Sequence, residues 1–556
     1  MGTKKLNVYL LTAVLFTICS CGKSNQPTPA PPQPPASFYF NTLKVNGAFN
    51  GFVYKGVNNS PVIKLSFSAP VNHSSVSTAV LFASKTGAVV SYSASYQNND
   101  STIVISPATL QPITQYTLNV STSLKSAAGG SLQSDLSVQL TTAIDTTNKF
   151  PKVTDDQLLD IVQKQTLKYF YDFGHPISGL ARERNTSGDV VTTGGSGFGI
   201  MALVTGVSRQ FITRAQGLAR MQTIVGFLKT AQTFHGAFPH WMNGATGVVV
   251  PFSTQDDGAD LVETAYLMEG LLTARQYFNV ANPAETQLRT DINTLYNNVE
   301  WDWFTQGGQN TLYWHWSPDF GWSTNMQVNG WDEALITYVL AASSTTHPIA
   351  KAVYDNGWAG NGSMKNGNTY FNTVLPLGPP EGGPLFFAHY SFLGINPNGL
   401  SDAYASYDVQ NKAHATINYS YCVSNPNSFY GYGSNCWGLT ASDVENGYTA
   451  SSPTNDVGVI APTAAVASLP YTPVQSLAAL RFFYYKLGDK TWGPYGFYDA
   501  FNLDTQWFAS SDLAIDEGPI IDMIENYRSG LLWSMFMSCP EVKTGMKNLG
   551  FKGPNL

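Results

Sequence analysis

Between residues 38 and 146, hydrophobic and polar positions alternate with a period of two. The clearest cases are residues 62–67, 101–106 and 116–121, and Gly, Pro and Asn separate them. Such alternation is typical of strands that turn one face toward a core, and the turn residues fall at hairpin spacing. The pattern predicts a small β-sandwich over residues 38–146, with no helix of consequence and no converging acids or histidines.

From Asp155 onward the hydrophobic period becomes that of a helix. Leu158, Ile161 and Val162 share one face, and residues 154–157 have the composition of a capping box. Further helices are predicted around residues 197–205, 214–230, 261–278, 286–299, 333–342, 474–487 and 519–537. Long loops rich in Trp, His and Gly separate several of them. Helices joined by such loops favour an all-α barrel or toroid over residues 150–556, because simple bundles more often use short connections.

The stretch from residue 252 to 272 reads as a polar loop that runs into a helix. Its apolar residues at helical spacing are Leu261, Ala265, Met268 and Leu272. Asp256, Asp260 and Glu263 would share one stripe if this helix extended back to Asp256. Acids near a helix start also cap its free N–H groups and favour its dipole, which is the ordinary structural explanation. The preceding residues 234–241 are rich in aromatic rings and histidine, which makes a sugar-binding cleft the alternative explanation.

The amino-acid composition indicates which classes of ligand the protein binds. The net charge is -7, which argues against nucleic acid as a ligand because nucleic acid requires basic patches. Aromatic residues make up 13% of the chain, which suits carbohydrate contact. The glycine-rich residues 194–199 follow no strand pattern, so we interpret them as a turn rather than a nucleotide-binding loop. No cofactor and no metal site is predicted, since no pair of histidines has zinc-binding spacing.

The first residues predict export. Lys4 and Lys5 precede a short apolar run that ends Ile18-Cys-Ser-Cys21, which resembles a bacterial lipoprotein box. The resemblance implies residues 1–21 as a signal peptide with cleavage before Cys21 and lipidation of its thiol; an ordinary signal peptide is the alternative. The proline-rich residues 22–37 would be a stiff tether. We therefore expect an outer-membrane lipoprotein, periplasmic or at the cell surface, that meets the membrane only through its anchor and is a monomer.

Three further cysteines follow Cys21. Cys422 and Cys436 flank a turn-rich loop at a spacing that fits no zinc site. In an exported protein they either close a disulfide, which would add roughly 3 kcal/mol to stability, or remain as buried thiols. Cys539 follows an apolar run and is expected to be a core thiol.

Glycoside hydrolysis needs two carboxyl groups across the scissile bond. Acids suited to this chemistry lie on the stripe described above, at Glu333 before an apolar helix, and at Asp516 and Glu517 before another. Each of these positions is also an ordinary place for a helix cap. Loops feeding several helices can bring such acids together at one end of a helical barrel.

At these positions the chain resembles a known family. Residues 155–550 are similar to the glucoamylase-like domain of bacterial endo-β-1,2-glucanases, glycoside hydrolase family 144, and residues 38–146 resemble bacterial Ig-like modules. The matching stretches are residues 195–202, 235–241, 301–303, 312–318, 383–391, 436–443 and 515–519. The resemblance implies an (α/α)6 barrel and an inverting, metal-free mechanism. Glu333 would be the general acid and Asp516 the base, with Asp456 and Glu517 as rival bases, and Asp256, Asp260 and Glu263 would bind the sugar.

Histidines and tryptophans in the matching loops are further candidates for substrate binding. They are His240, Trp241, His315, Trp316 and His389. Tryptophan rings stack on the apolar faces of glucose, while a buried histidine is as often structural. Residues 313–316 alternate in direction, so at least one of them should belong to the core.

Taken together, these features predict a glycoside hydrolase that binds and cleaves β-glucan, most specifically an endo-β-1,2-glucanase. One alternative is an exo-acting enzyme that releases sophorose or glucose from the same polymer. A second, of another class, is a glycan-binding lipoprotein without catalysis. Linkage depends on the shape of the subsites, which the sequence does not display.

Overall fold

The computed structural model describes residues 37–556. The expected lipidation of Cys21, signal peptide and tether fall on residues 1–36, outside the described residues, and stay predictions. Within the described part, β-strands and one short helix occupy the first segment, and the helical segment begins at Asp155. No helix among these residues has the length and apolar character needed to cross a bilayer.

The N-terminal segment consists of two facing β-sheets. Its elements are β1 (Phe40–Val45), β2 (Val53–Val57), β3 (Ile63–Phe67), α1 (His73–Ala79), β4 (Val80–Ser84), β5 (Tyr92–Gln97), β6 (Thr102–Pro107), β7 (Gln115–Val120) and β8 (Leu136–Thr142). One sheet has the order β1-β3-β6-β5 and the other β2-β8-β7-β4. Ile63, Leu65 and Phe67 alternate with half-buried residues and enter a core that both sheets share. The alternating pattern therefore predicted the sandwich, while the short helix α1 was missed.

The rest of the chain is dominated by helices. They are α2 (Asp155–Tyr171), α3 (Thr193–Ser208), α4 (Arg214–Leu228), α5 (Leu261–Tyr277), α6 (Pro283–Asn297), α7 (Leu335–Ser343), α8 (Lys351–Val353), α9 (Tyr407–Ser424), α10 (Pro462–Ala467), α11 (Pro473–Lys486), α12 (Gly488–Thr491), α13 (Ala514–Arg528), α14 (Leu531–Met537) and α15 (Pro540–Leu549). The predicted capping box is present, because Thr154 and Gln157 bond each other's backbone N–H groups. The stretch predicted as one helix over 519–537 is two, since Gly530 takes a left-handed conformation between them.

Residues 194–199 are not a turn, as the glycine content suggested, but the first turns of α3. Here glycine serves close packing rather than chain reversal. A Cβ added at Gly197 would lie 2.1 Å from the carbonyl oxygen of Tyr266, and one at Gly270 would lie 2.2 Å from that of Gly197. The backbones of α3 and α5 therefore touch, which no larger residue would allow.

Helix α3 lies at the centre of the helical packing. It contacts α5 and α13 along its length, and α2 lies against both α3 and α13. Helices α10 and α11 continue from α13, while α7 joins α5 on the other side and is covered by α15. The helix starts that carry the candidate acids thus belong to neighbouring elements of one layer.

Long loops between the helices contain short strands. They are β9 (Val190–Thr192), β10 (Trp241–Asn243), β11 (Val249–Val250), β12 (Ala259–Asp260), β13 (Leu312–Tyr313), β14 (His315–Trp316), β15 (Gln327–Val328), β16 (Thr369–Tyr370), β17 (Thr373–Val374), β18 (Ala441–Val444), β19 (Gly447–Ala450), β20 (Trp492–Gly493), β21 (Gly496–Phe497), β22 (Phe501–Asn502) and β23 (Trp507–Phe508). Their pairing fixes loops that would otherwise be free, and several of these pairs surround the candidate site.

The sandwich contacts the helical part through lysines. Lys55 forms an ion pair of 2.7 Å with Asp504 and donates to the carbonyl of Ser428. Lys85 donates to the carbonyl of Thr505. Both lysines therefore hold the turn of the β22–β23 hairpin.

The cysteine pair does not form the disulfide that its spacing suggested. Cys422 and Cys436 are free thiols at 0% and 2% exposure, and burial raises the pKa of each. Both pack into the main apolar core as small hydrophobic side chains, so packing rather than a covalent bond fixes the ends of the loop. Cys539 is a buried core thiol, as predicted.

Candidate active site

A pair of two-residue strands builds the first half of the site. In β12 and β14, Asp260 pairs with His315, and Ala259 pairs with Trp316. Because neighbouring residues of a strand point in opposite directions, His315 turns toward the acids and Trp316 turns away from them. The loop before β12 carries Asp256 back to the same place.

Asp260 is the N-cap of α5 rather than part of the helix. Its Oδ1 accepts hydrogen bonds from the backbone N–H groups of Val262 and Glu263. Its Oδ2 lies 3.0 Å from Nδ1 of His240 and 3.5 Å from Nδ1 of His315. Burial alone would raise the pKa of Asp260, but the two histidines and the capped N–H groups outweigh it and lower the pKa. Asp260 is therefore an ionised carboxylate in the interior.

Because α5 begins at Leu261, the expected stripe of acids on one helix does not form. Asp256 lies in the loop, yet it reaches the same point because its Oδ1 is 3.4 Å from Nδ1 of His315. The histidines rather than a helix face bring the acids together. Burial would lower the pKa of His240, but Glu263, Asp260 and Asp256 raise it to about 9, so its ring carries a positive charge at neutral pH.

Glu263 connects this cluster to α3. Its Oε2 accepts a hydrogen bond of 2.7 Å from the backbone N–H of Gly194, and its Oε1 lies 4.0 Å from Nε2 of His240. A Cβ at Gly194 would stand 2.6 Å from Oε2, so glycine is required for this contact. Burial raises the pKa of Glu263, and the charge of Asp260 adds to the rise.

Glu333 is half-buried in the turn just before α7. Its carbonyl accepts hydrogen bonds from the hydroxyls of Tyr266 and Ser391, which fix the backbone while leaving the carboxyl group free. Burial raises the pKa of Glu333 to about 7, and the charges of Glu263 and Asp260 act in the same direction. A carboxyl group that keeps its proton near neutral pH has the property that a general acid needs.

Asp516 lies in the first turn of α13, and the hydroxyl of Thr463 holds its carbonyl. Burial raises its pKa well above the ordinary value, with Asp499 as the next cause. Glu517 points elsewhere, toward Thr166 and Asp512.

The other rival base, Asp456, has a structural role. It accepts hydrogen bonds from the hydroxyls of Tyr421 and Tyr432 and from the N–H of Gly458. It is thus part of the anchoring of the 425–436 loop, and the structure does not bring it to the candidate acids.

A group of aromatic rings lies close to both Glu333 and Asp516. Phe198 packs against Tyr266 at 5.3 Å and against Tyr390 at 5.1 Å between ring centroids. Tyr266 donates to Glu333, as described above. Burial raises the pKa of Tyr390, and the nearby charges include both Asp516 and Glu333. The two candidate catalytic carboxyls therefore both lie near Tyr390.

Two aromatic surfaces border the acids. Trp241 and the exposed Phe252 stand at 4.8 Å from each other beside His240, so Trp241 lies next to the cluster. Trp316 instead packs against Trp303 at 5.3 Å, on the opposite side of its strand. Strand alternation thus turns Trp316 away from the acids, and its contact with substrate stays a prediction. Tyr313, at 3% exposure, is the core member of that run.

His389 was expected to bind substrate, but its side chain lies in the interior. It is 2% exposed and its Nε2 is 3.0 Å from the hydroxyl of Ser468. Burial lowers the pKa of His389 to about 3, and the neighbouring His414 contributes. A neutral buried imidazole with a single hydroxyl partner is a packing residue.

This burial has a measurable consequence for stability. In the unfolded chain the histidine binds a proton below its ordinary pKa of about 6.5, whereas folded His389 does not, so stability is lost as pH falls below that value. For His389→Gln, we expect the difference in unfolding free energy from wild type to shift in the variant's favour by about 2 kcal/mol between pH 7 and pH 5. Denaturant unfolding at both pH values measures it. An unchanged difference would contradict the assignment, and His347→Gln, at a more exposed histidine, is the control.

Comparisons with known proteins give matches to both the sandwich and the helical part. The "Putative glucoamylase" family model matches residues 325–540 and the "Bacterial Ig-like domain" model matches residues 53–142. An endo-β-1,2-glucanase structure from Chitinophaga pinensis, a complex with sophorotriose and glucose, is 48% identical with a TM-score of 0.72 and covers 73% of this chain and 100% of that one. The chain belongs to glycoside hydrolase family 144. The resemblance of its matching stretches to that family is thereby confirmed.

Two further relatives extend the comparison. A β-1,2-glucanase structure from Parabacteroides distasonis is 37% identical with a TM-score of 0.71, and covers 93% of this chain and 73% of that one. A curated protein of the same organism, an exo β-1,2-glucooligosaccharide sophorohydrolase acting at the non-reducing end, is 46% identical over 420 residues. That match covers 71% of this chain, and the chain spans 58% of the relative's length.

Some site residues of this family 144 chain escaped the sequence analysis. Asp499 and Tyr448 lie near Asp516, and Tyr390 lies near both candidate carboxyls. None of them stands before a helix in an acidic motif. Tyr390, the neighbour of His389, lies inside the matching stretch 383–391. The aromatic residues around it in the sequence were the signal that could have identified it as a site residue.

His240, Asp256 and Asp260 are close enough to hold a metal ion, since one ligand atom from each lies within 4.8 Å of the others. The pKa of about 9 argues that His240 is protonated and supplies the positive charge itself. A histidine must be neutral to bind a metal. We expect full hydrolytic activity after prolonged dialysis against EDTA, measured as reducing ends released. Loss of activity that zinc or calcium restores would contradict this, and an EDTA-treated zinc peptidase is the positive control.

Proposed function

We propose that this family 144 protein is an endo-β-1,2-glucanase that inverts the anomeric configuration. The observation that carries the proposal is that two carboxyls, Glu333 and Asp516, both lie near the hydroxyl of Tyr390. The name of the Chitinophaga relative supports the choice of β-1,2-glucan as substrate. Inverting hydrolysis requires two carboxyl groups separated by the sugar and a water molecule.

In the proposed reaction, Glu333 donates its proton to the oxygen of the scissile bond. The bond from the anomeric carbon to that oxygen breaks as a water oxygen attacks the anomeric carbon from the opposite face. Asp516 accepts the proton that the water loses. Glu333 regains a proton from solvent after the product leaves, so each turnover consumes one water molecule and creates one reducing end.

The remaining cluster would bind the sugar and set the charge. Asp260 and Asp256 are carboxylates that can accept hydrogen bonds from glucose hydroxyls, and protonated His240 limits their mutual repulsion. Their negative charge also favours the protonated form of Glu333. Trp241 beside Phe252 offers a ring face for stacking on a glucose unit.

The proposal is tested with a panel of β-glucans of defined linkage, with products separated by chromatography and the anomeric form followed by NMR. We expect hydrolysis of β-1,2-glucan alone and release of the α-anomer. A ladder of products of several lengths is expected from endo cleavage. No release from β-1,2-glucan, or retention of the β-anomer, would refute the proposal.

An exo-acting enzyme is the second candidate, because the curated relative carries that activity in its name. It would release sophorose as the single early product. The early product distribution on a long β-1,2-glucan therefore separates the two activities directly.

We further propose the finer architecture and location that the sequence indicated. The contacts of α3, α5, α7, α10 and α13, each with an outer partner, support an (α/α)6 barrel over residues 150–556 after an Ig-like domain over 38–146. Cys21 would carry the lipid that anchors a monomer to the outer membrane. Metabolic labelling with an alkyne fatty acid, lost in Cys21→Ala, tests the anchor, and light scattering of the acyl-free protein tests the monomer.

A further inference from the structure

Asp516 has a second carboxyl group against it that the proposed reaction does not use. Asp499 lies between β21 and β22, is 3% exposed, and bonds the carbonyl of Ser511 through its backbone N–H. Its Oδ2 accepts a hydrogen bond of 2.6 Å from the backbone N–H of Asp443. One oxygen of Asp499 is thus fixed by the backbone, which sets the direction of the other.

One oxygen of each of the two carboxyls lacks a hydrogen-bond donor. Oδ1 of Asp499 and Oδ2 of Asp516 are both fully buried without a donor from any other group. The two side chains are within hydrogen-bonding contact of each other. Two carboxylates are acceptors only, so this contact is a hydrogen bond only when one of them carries a proton.

We propose that Asp499 is a positioning residue that shares one proton with Asp516 and donates it as a hydrogen bond to the buried oxygen of that carboxylate. This rests on the proposed role of Asp516 as base. The other oxygen of Asp516 is then the one free to accept a proton from water. In the reaction the pair passes from one shared proton to two, and returns to one when the water-derived proton leaves to solvent.

The surroundings favour a retained proton. Asp443 and Glu517 add negative charge near Asp516, and the hydroxyls of Tyr448 and Tyr390 face it. The guanidinium of Arg184 is a cation near Asp499, and it already pairs with Glu183 and with Asp443 at 3.2 Å.

Removal of one proton from the pair is therefore possible near neutral pH, while removal of both would leave two buried charges together. Burial raises the pKa of Asp499 to about 7 and raises the pKa of Asp516 as well, so the pair as a unit retains a proton near neutral pH.

Two substitutions separate a shared proton from a merely structural role. Asp499→Asn keeps a donor to Asp516 through its amide nitrogen and an acceptor for the Asp443 N–H through its oxygen. Asp499→Leu leaves Asp516 as a single carboxyl without that donor. It then binds its one proton at a higher pH than the wild-type pair binds its second, although it loses that proton at a lower pH than the pair loses its last. We expect the acidic limb of the kcat/KM–pH profile on β-1,2-glucan to move upward by about one pH unit in Asp499→Leu. In Asp499→Asn it should stay within about half a unit of wild type, with kcat/KM at the optimum within about tenfold.

Asp512→Leu is the matched control, because Asp512 is 0% exposed and burial raises its pKa to about 7, yet its carboxylate bonds Asn185 instead of Asp516. The acidic limb of the kcat/KM–pH profile of Asp512→Leu should coincide with that of wild type. Asp499→Ala replaces the leucine variant if that one does not fold.

Coincident acidic limbs in wild type and Asp499→Leu overturn the inference. So does an inactive Asp499→Asn, which would show that Asp499 itself must be ionised. A wild type that does not hydrolyse β-1,2-glucan overturns the proposed function together with the inference, whereas an active wild type with unmoved limbs overturns the inference alone.

Discussion

Glu333→Gln is expected to lower kcat on β-1,2-glucan by about a hundred- to ten-thousandfold while leaving KM within a few-fold of wild type. Glutamine fills the same space and keeps the backbone contacts of Tyr266 and Ser391, which bond the carbonyl rather than the side chain. It removes only the proton that the leaving oxygen needs, and general acid catalysis contributes about 10²–10⁴ to such rates. Initial rates of reducing-end release measure the effect.

The leaving group distinguishes loss of the acid from general damage. On an aryl β-1,2-gluco-oligosaccharide with a dinitrophenyl leaving group, no proton is needed for departure, so Glu333→Gln should retain most of the wild-type rate. Asp516→Asn is the matched variant and should lose activity on both substrates, because the attacking water still needs its base. Equal losses of Glu333→Gln on both substrates would contradict the assignment of the acid.

The pH profile follows from the same residue. Because the pKa of Glu333 is about 7, this carboxyl loses its proton within the pH range of ordinary assays. Activity on β-1,2-glucan should therefore fall as pH rises above about 7, since the acid form is lost there. The basic limb would thus report Glu333, and the acidic limb would report the Asp516 pair.

The helices and strands with clear periodicity could be predicted from the sequence. The pairs that bring acids together could not, because they join segments far apart in the chain. Asp260 meets His315 through a two-residue strand pair, and Asp516 meets Asp499 across a hairpin. Neither contact leaves a periodic signal, since such strands are too short to show alternation.

Local sequence preferences also gave wrong predictions at particular residues. Glycines at 194, 195, 197 and 199 argue against a helix by propensity, yet close packing against α5, α13 and α2 requires them. His389 and His240 stood in similar matching loops, but one lies against Ser468 in the core and the other among carboxylates. Tertiary burial decides between these environments, and a single sequence does not display it.

The close approach of α3 and α5 gives the second large expectation. Gly197→Ala should lower the free energy of unfolding by at least about 3 kcal/mol, because its Cβ would lie 2.1 Å from the Tyr266 carbonyl oxygen and 2.8 Å from Cα of Leu267. Both are backbone atoms, so no side-chain rotation relieves the clash. The helices must separate, which also moves Gly194 away from Glu263. Denaturant unfolding and soluble yield measure the effect.

Gly226→Ala is the matched control on α4, where an added Cβ meets nothing within 4 Å and the position is exposed. There alanine should raise the free energy of unfolding by up to about 1 kcal/mol, because it has the better helix propensity. The two substitutions are chemically identical and differ only in what surrounds the new methyl group. A stable Gly197→Ala with unchanged activity would mean that the backbones of α3 and α5 are not in contact, and that the Gly194 N–H is not what holds Glu263 in the site.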